Sequence, residues 1–234
     1  MIDIRELTSH ADFADAVQLQ RIIWNWSDLD ILPVRFFVVA RGIGGQALGA
    51  FDRKVMAGFC LAIPAIKSGG QSYLHSHMLG VLKEYRDTGV GRLLKFAQRD
   101  AALARGVDLI EWTFDPLEIK NAYFNIERLG AIVRRFVLNQ YGITSSPLTG
   151  GLPTDRCVAE WHLREKRDRP AATARISVPA AMGRIRQEDP ERARRIQSAV
   201  ADQFIARFAE NLAVTGFEMT PDAGTYLLSP WPTE

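Results

Sequence analysis

An apolar stretch, Gln71 to Leu82, runs into Glu84-Tyr85-Arg86-Asp87-Thr88-Gly89-Val90-Gly91-Arg92-Leu93-Leu94-Lys95, and apolar residues then recur at helical spacing. A strand, a turn of small and charged residues and a helix must therefore follow one another here. Gly89 and Gly91 remove side chains where a ligand approaches the backbone. The helix that follows offers unpaired N–H groups and the positive end of its dipole. The segment reads as a cradle for an anion such as pyrophosphate, although glycine spacing alone also suits a plain strand-to-helix connection.

What surrounds the cradle narrows the fold. Ile2 to Leu7 suits a first strand, and Ser9 with Asp12 three residues later suits the start of a helix over residues 10 to 26, striped by Ala16, Leu19, Ile23 and Trp26. Gly44 to Phe51 and Lys54 to Pro64, separated by Asp52-Arg53, have the pattern of a hairpin, and Ser68-Gly69-Gly70 turns the chain into the strand before the cradle. Val90, Leu94, Ala97, Ala101 and Ala104 predict one apolar helix face, closed by Gly106. Val107 to Phe114 reads as a buried strand. Asp115-Pro116 opens a further helix to about Leu129, with Gly130 closing it, and Ala131 to Tyr141 and Arg156 to Arg164 supply two more strands. The order is β, α, a β-meander, α, β, α, β, β. An antiparallel meander ahead of the glycines argues against a doubly wound nucleotide fold.

The spacing Arg86-x-x-Gly89-Val90-Gly91, in this order of elements, resembles the R/Q-x-x-G-x-G/A motif of the GNAT superfamily of acyl-CoA-dependent N-acyltransferases. The resemblance covers about residues 1 to 164. It implies an α/β (α+β) domain with a mixed, mostly antiparallel central sheet flanked by helices. Residues 165–234 would then form a helical and hairpin extension packed on it. In that extension Arg167, Arg169, Arg175, Arg184 and Arg186 lie among Ala, Pro and Ser, a composition of a linker or an ordered crossing. Asp189-Pro190-Glu191 starts a helix whose stripe Ala193, Ile196, Val200, Phe204, Phe208 and Leu212 ends near Gly216, and residues 216–228 suit a hairpin. That stripe has three uses: covering the chain's own core, closing over a substrate, or forming a homodimer.

Composition excludes other classes. A net charge of +2 makes no case for nucleic acid or a membrane surface, which leaves small molecules as the expected partners. Cys60 and Cys157 are too few for a disulfide framework and lack metal-ligand spacing. No signal-like start and no bilayer-length apolar run occurs, so the cytoplasm is the expected compartment.

Moving an acyl group from a thioester to an amine needs a neutral amine, a route for its proton and stabilisation of developing charge, and no metal. His75 and His77, at i, i+2 on a strand, point to one face and place two imidazoles together. A His-x-His pair here resembles the arylalkylamine N-acetyltransferases, where the pair serves proton removal; packing or backbone hydrogen bonding is the plainer use. Glu111 is the alternative base, against the plainer reading of a salt-bridged carboxylate. By resemblance, acetyl-CoA or another acyl-CoA is the co-substrate. The main chain of Leu79 and Val81 would hold the pantetheine arm. The N–H groups of Asp87, Thr88, Gly89, Val90, Gly91 and Arg92 would hold the pyrophosphate, with Arg86 and Arg92 adding charge. Asn121 would meet the pantetheine or cap its own helix. Many GNAT enzymes carry a tyrosine four residues before the glycine that ends the late helix, as general acid; here Ile126 stands there, and Tyr123 is the substitute.

The resemblance thus implies direct acyl transfer, acetyl by default, to a small-molecule amine in a ternary complex. Two alternatives stand beside it: a non-catalytic acyl-CoA sensor, and nucleotide phosphate binding, against which the missing Walker Lys-Ser/Thr argues. Trp24, Trp26, Phe36 and Phe37 suit either an acceptor pocket or a core.

Overall fold

A computed structural model describes residues 1–142, 151–164 and 169–231, so Arg167 and residues 143–150 of the Gly/Ser/Thr/Pro loop lie outside the described residues. The chain forms two compact units: residues 1–112 with 162–164, and residues 113–161 with 165–234.

In the first unit the strands lie in the order β1 (Ile2–Glu6), β2 (Gln46–Asp52), β3 (Val55–Ile66), β4 (Ser72–Val81) and β5 (from Leu109). The first four are antiparallel neighbours and β4–β5 is parallel. This is the mixed, mostly antiparallel sheet that the resemblance implies. Helix α1 (His10–Trp24) starts where expected: Ser9 and Asp12 form a capping box, and Asp12 also pairs with Arg5 at 2.7 Å. Trp26 falls beyond the helix end and stacks on Trp24 at 4.6 Å between ring centroids.

Helix α2 (Val34–Gly42) has no counterpart in the expected order. Only Phe37 and Ala40 of it are buried, while Val38 and Val39 are exposed, so its apolar residues run all round and show no one-sided period. Helix α3 (Val90–Leu103) buries Val90, Leu94, Lys95, Gln98 and Ala102. Its inner face is thus rotated from the predicted stripe, and Ala104 is exposed. One apolar cluster, with Leu7, Phe13, Phe37, Phe59, Leu61 and Met78, gathers α1 and α2 on the sheet; another joins Leu48, Cys60, Val90 and Leu94.

The second unit orders its strands β7 (Arg156–His162, through Trp161), β6 (Ile132–Val137), β9 (Leu212–Met219), β10 (Ala223–Pro230) and β8 (Ala174–Pro179). Strand β8 and helix α5 (Met182–Glu188) stand in the basic tract, where a linker or an ordered crossing was expected. Their arginines are absorbed by carboxylates: Arg175 pairs with Glu218, and Arg186 with Asp115 and Glu118. Helix α6 (Pro190–Ala209) starts at the predicted Asp189 cap. It ends earlier than expected, because Asn211 turns the chain at positive φ and Gly216 sits inside β9. Phe204 of α6 stacks on Phe136 and meets Tyr226 edge-on, so the stripe covers this unit's own sheet. Asp115-Pro116 forms a turn, and α4 begins only at Ile119 (Ile119–Tyr123), continuing as a π turn over Phe124–Arg128 before Gly130.

Candidate functional site

Strands β4 and β5 pair at only two positions, Leu74 with Ile110 and His75 with Glu111. Strand β4 runs on to Val81 without β5 beside it, its other edge still paired to β3 through Leu79–Cys60 and Val81–Gly58. Unpaired main-chain groups of a parting strand can bind an extended ligand. A register shift helps: Leu61 faces Met78 and Ala62 faces Ser76, leaving His77 as the extra residue of a bulge.

His75 and His77 come together at the fork, their ring centroids 5.9 Å apart. His77 also tilts against Phe36 at 6.2 Å. Burial pushes His75 below its ordinary pKa, assisted by His77 and Lys95 and opposed by Glu111. Burial lowers His77 likewise. Imidazoles that stay neutral at neutral pH can accept a proton. Glu111 is 3% exposed and its Oε1 lies 2.7 Å from Lys67 Nζ, an ion pair that favours the salt-bridge reading.

After β4 a short 3-10 turn, Lys83–Tyr85, leads into the glycine segment. Asp87 takes φ 61° and Gly89 takes φ 94°, and Gly89 caps α3 without a side-chain hydrogen bond. Open space surrounds the place where a Gly89 side chain would start. The loop is braced by its own side chains: Arg86 Nε donates to the Val81 carbonyl at 3.1 Å, and Thr88 Oγ1 to that of Tyr85 at 2.6 Å. The exposed Arg92 lies over Phe96, 4.7 Å from its centroid. The buried Val90 side chain belongs to the core. An uncapped helix start behind an αL glycine fits an anion.

Asn121 and Tyr123 lie on α4 of the second unit. Asn121 Oδ1 accepts from Asn125 Nδ2 at 3.3 Å, and the Tyr123 ring carries Arg128 at 5.5 Å. Ile126, where a tyrosine was anticipated, is fully buried. A cavity of about 560 Å³ in the first unit, lined by Glu6, His10, Phe13, Arg41 and Arg105 among others, shares no residue with the fork. Among the described residues no group of three or more His, Cys, Asp or Glu is arranged to hold a metal.

Ser76 and Lys95 do not stand out in the sequence as site residues. Ser76 stands between the two histidines, and Lys95 Nζ donates to its Oγ at 3.0 Å. Gln98 falls at helical spacing with the buried Val90 and Leu94, whereas Lys95, next to Leu94, lies off that spacing and gives no such signal.

No family model matches the sequence, and no curated relative does. Solved structures do match. A Desulfovibrio desulfuricans protein assigned to the GNAT acetyltransferase family superposes with a TM-score of 0.57 at 14% identity, over 70% of this chain and 99% of that one. NAA60 of Arabidopsis thaliana, in complex with acetyl-CoA, gives 0.58 at 15%, over 70% and 100%. The Escherichia coli ribosomal-protein-S18-alanine N-acetyltransferase gives 0.55 at 17%, over 73% and 99%. With its meander, forked β4 and glycine-capped α3, the chain has the GNAT fold.

Proposed function

We propose that this protein is a GNAT-type N-acyltransferase, moving an acyl group, acetyl by default, from acyl-CoA to the amine of a small molecule within a ternary complex. The observation that carries the reading is the fork itself: β4 leaves β5 directly after His75, and two imidazoles held neutral stand at that point. The similar fold of NAA60 in complex with acetyl-CoA supports acyl-CoA as co-substrate.

In this reading the N–H groups across Asp87 to Arg92, above all at Gly89 and Gly91, hold the pyrophosphate, and Arg86 and Arg92 add positive charge. The main chain of Leu79 and Val81 holds the pantetheine arm along the open edge of β4. The thioester supplies an activated acyl carbon. His75 or His77 accepts the proton of the incoming ammonium, directly or through water, so that the amine nitrogen bonds to the acyl carbon as the carbon–sulfur bond breaks. The leaving thiolate takes up a proton, for which Tyr123 is the side-chain candidate. Asn121 is assigned to the pantetheine. Trp24, Trp26 and Phe36, partly buried against the same apolar cluster, with Phe36 tilted against His77, suit the apolar body of an acceptor.

No helix of the described residues is long and apolar enough to cross a membrane, and a cytoplasmic setting belongs to the same proposal. The buried Ile126 favours one second reading, an acyl-CoA sensor without turnover. Incubation with several acyl-CoAs and an amine panel, following CoA release, separates the two. Turnover supports the transferase. Calorimetric binding of acyl-CoA without CoA release across the panel, unaffected by His75→Ala and His77→Ala, supports the sensor.

A further inference from the structure

The two residues that would form the next β4–β5 pair, Ser76 and Trp112, both contact one buried amine instead. Lys95 reaches in from α3 and is 2% exposed. Its Nζ donates to Ser76 Oγ at 3.0 Å and to Gln98 Oε1 at 2.8 Å, and lies 3.8 Å from the centroid of the Trp112 ring. Gln98 is itself fixed, its Nε2 3.7 Å from Cys60 Sγ and its carbonyl accepting from Gln46 Nε2 at 3.3 Å. An ammonium is an expensive group to place there, since burial penalises its charge, and an unbranched apolar side chain would fill the same slot. Its position at the fork, one residue from His75 on β4 and one from Glu111 on β5, suggests what it does.

We propose that Lys95 is a positioning residue: its ammonium, held against Ser76 at the fork between β4 and β5, helps to keep the neighbouring His75 unprotonated. The inference rests on the reading of His75 as the proton acceptor. The groups that act on His75 are His77 on its own strand, Glu111 paired with it on β5, and Lys95 from α3, which touches the neighbouring Ser76; burial first, then His77 and last Lys95 disfavour the imidazolium, and Glu111 favours it. Lys67 pairs with Glu111. Around Lys95 itself, Ser76, Gln98 and Trp112 are neutral, and burial pushes the Cys60 thiol up to about 12, so it carries no charge. Burial lowers Lys95 to about 7, which leaves it mostly charged in the range where His75 takes up its proton.

The test follows the His75 ring by NMR, its resonance assigned by its loss in His75→Gln, in the wild type, Lys95→Met and Lys95→Gln. Lys95→Gln keeps a hydrogen-bond donor beside Ser76 and removes only the charge. His75 should titrate at higher pH in both variants, and kcat/KM at pH 5.5, relative to pH 8, should fall roughly two- to fivefold further than in the wild type. An unchanged His75 titration in variants that retain the wild-type near-UV circular dichroism overturns the inference. Should both variants misfold, the wild type decides: the His75 resonance must show a second inflection where the Lys95 side-chain resonance titrates, and a single-step curve overturns the inference. The NMR readout needs no turnover. A shifted His75 in a protein that never releases CoA would sink the transferase reading alone, and turnover with an unshifted His75 would sink this inference alone.

Discussion

Lys67 Nζ stands 2.7 Å from Glu111 Oε1, and Glu111 is the residue that pairs with His75 across the fork. A carboxylate already neutralised by a lysine is a poor proton acceptor, and removing its charge should leave catalysis largely in place. Glu111→Gln is expected to keep kcat/KM at pH 8 within about threefold of the wild type, because Lys67 is 28% exposed and can reach water. Since Glu111 raises the pKa of His75, its loss should move the acidic limb of the pH–rate profile to lower pH. A collapse of activity at pH 8 would make Glu111 the base.

The histidine pair predicts the shape of that profile. Both imidazoles lie below their ordinary pKa, so the acceptor form persists as pH falls past about 6.5 and activity is lost only at lower pH. The same sign governs folding: a histidine whose folded pKa is depressed contributes stability present above its unfolded pKa and lost as pH falls through its folded value. His75→Ala combined with His77→Ala should cost about 10²- to 10⁴-fold in kcat and remove the acidic limb. An unaltered profile in the double variant would show that neither ring takes the proton.

Gly89 predicts a separation between binding and stability. Its φ of 94° disfavours any L side chain, while the space around it is open. Gly89→Ala should therefore cost about 1–2 kcal/mol in backbone strain, read by denaturant unfolding. Gly89→Glu adds negative charge at the helix start and should weaken acyl-CoA binding about tenfold or more beyond the alanine variant, read by calorimetry. Equal affinity in the two variants would remove the pyrophosphate from this turn.

Asp12 predicts acid sensitivity of the N-terminal region. Its carboxylate accepts from Arg5 and from the backbone of Ser9 and Thr8, and the Arg5 hydrogen bond, ahead of those backbone bonds, holds it well below the usual carboxylate range. That contribution is complete above the unfolded pKa of about 3.9 and is lost as pH falls below it. Asp12→Ala should cost about 1–2 kcal/mol at pH 7 and much less at pH 2, followed by urea denaturation at the two values. A cost independent of pH would assign the effect to helix propensity.

What could be read from residues alone follows the reach of local rules. The capping box at Ser9 and Asp12, the hairpin at Asp52-Arg53, the strand-to-helix turn at Gly89 and the Asp189 cap each depend on neighbours in sequence, and each was legible. Helix α2 was not, because its apolar residues show no one-sided period, and β8 was not, because its one arginine, Arg175, is exposed and the strand's pairing is with the distant β10. At the site, the proximity of His75 and His77 was readable from strand alternation. The burial of Lys95 was not, since a lysine on a helix is by default a solvent-facing residue. The bulge at His77 is likewise a matter of pairing with β3, which no local signal encodes.

The turn ahead of α4 predicts what the C-terminal segment contributes to the second unit. Arg186 is 7% exposed and pairs with Asp115 at 2.7 Å and Glu118 at 2.6 Å, while the fully buried Tyr226 donates its hydroxyl to the Pro116 carbonyl at 2.7 Å. Asp115 also accepts from the Leu117 N–H at 2.8 Å. One helix and one strand of the last third of the chain therefore grip the four residues that launch α4, the helix bearing Asn121 and Tyr123. Tyr226→Phe removes one hydrogen bond and strands a buried carbonyl, costing about 1–3 kcal/mol. Arg186→Met leaves Asp115 without its partner, while the half-exposed Glu118 recovers water, so about 2–3 kcal/mol is expected, below the full cost of breaking a buried pair. The two contacts share one turn, so the double variant should cost less than the sum of the single ones. Strict additivity in denaturant unfolding would show that Arg186 and Tyr226 brace separate parts of the fold rather than this turn.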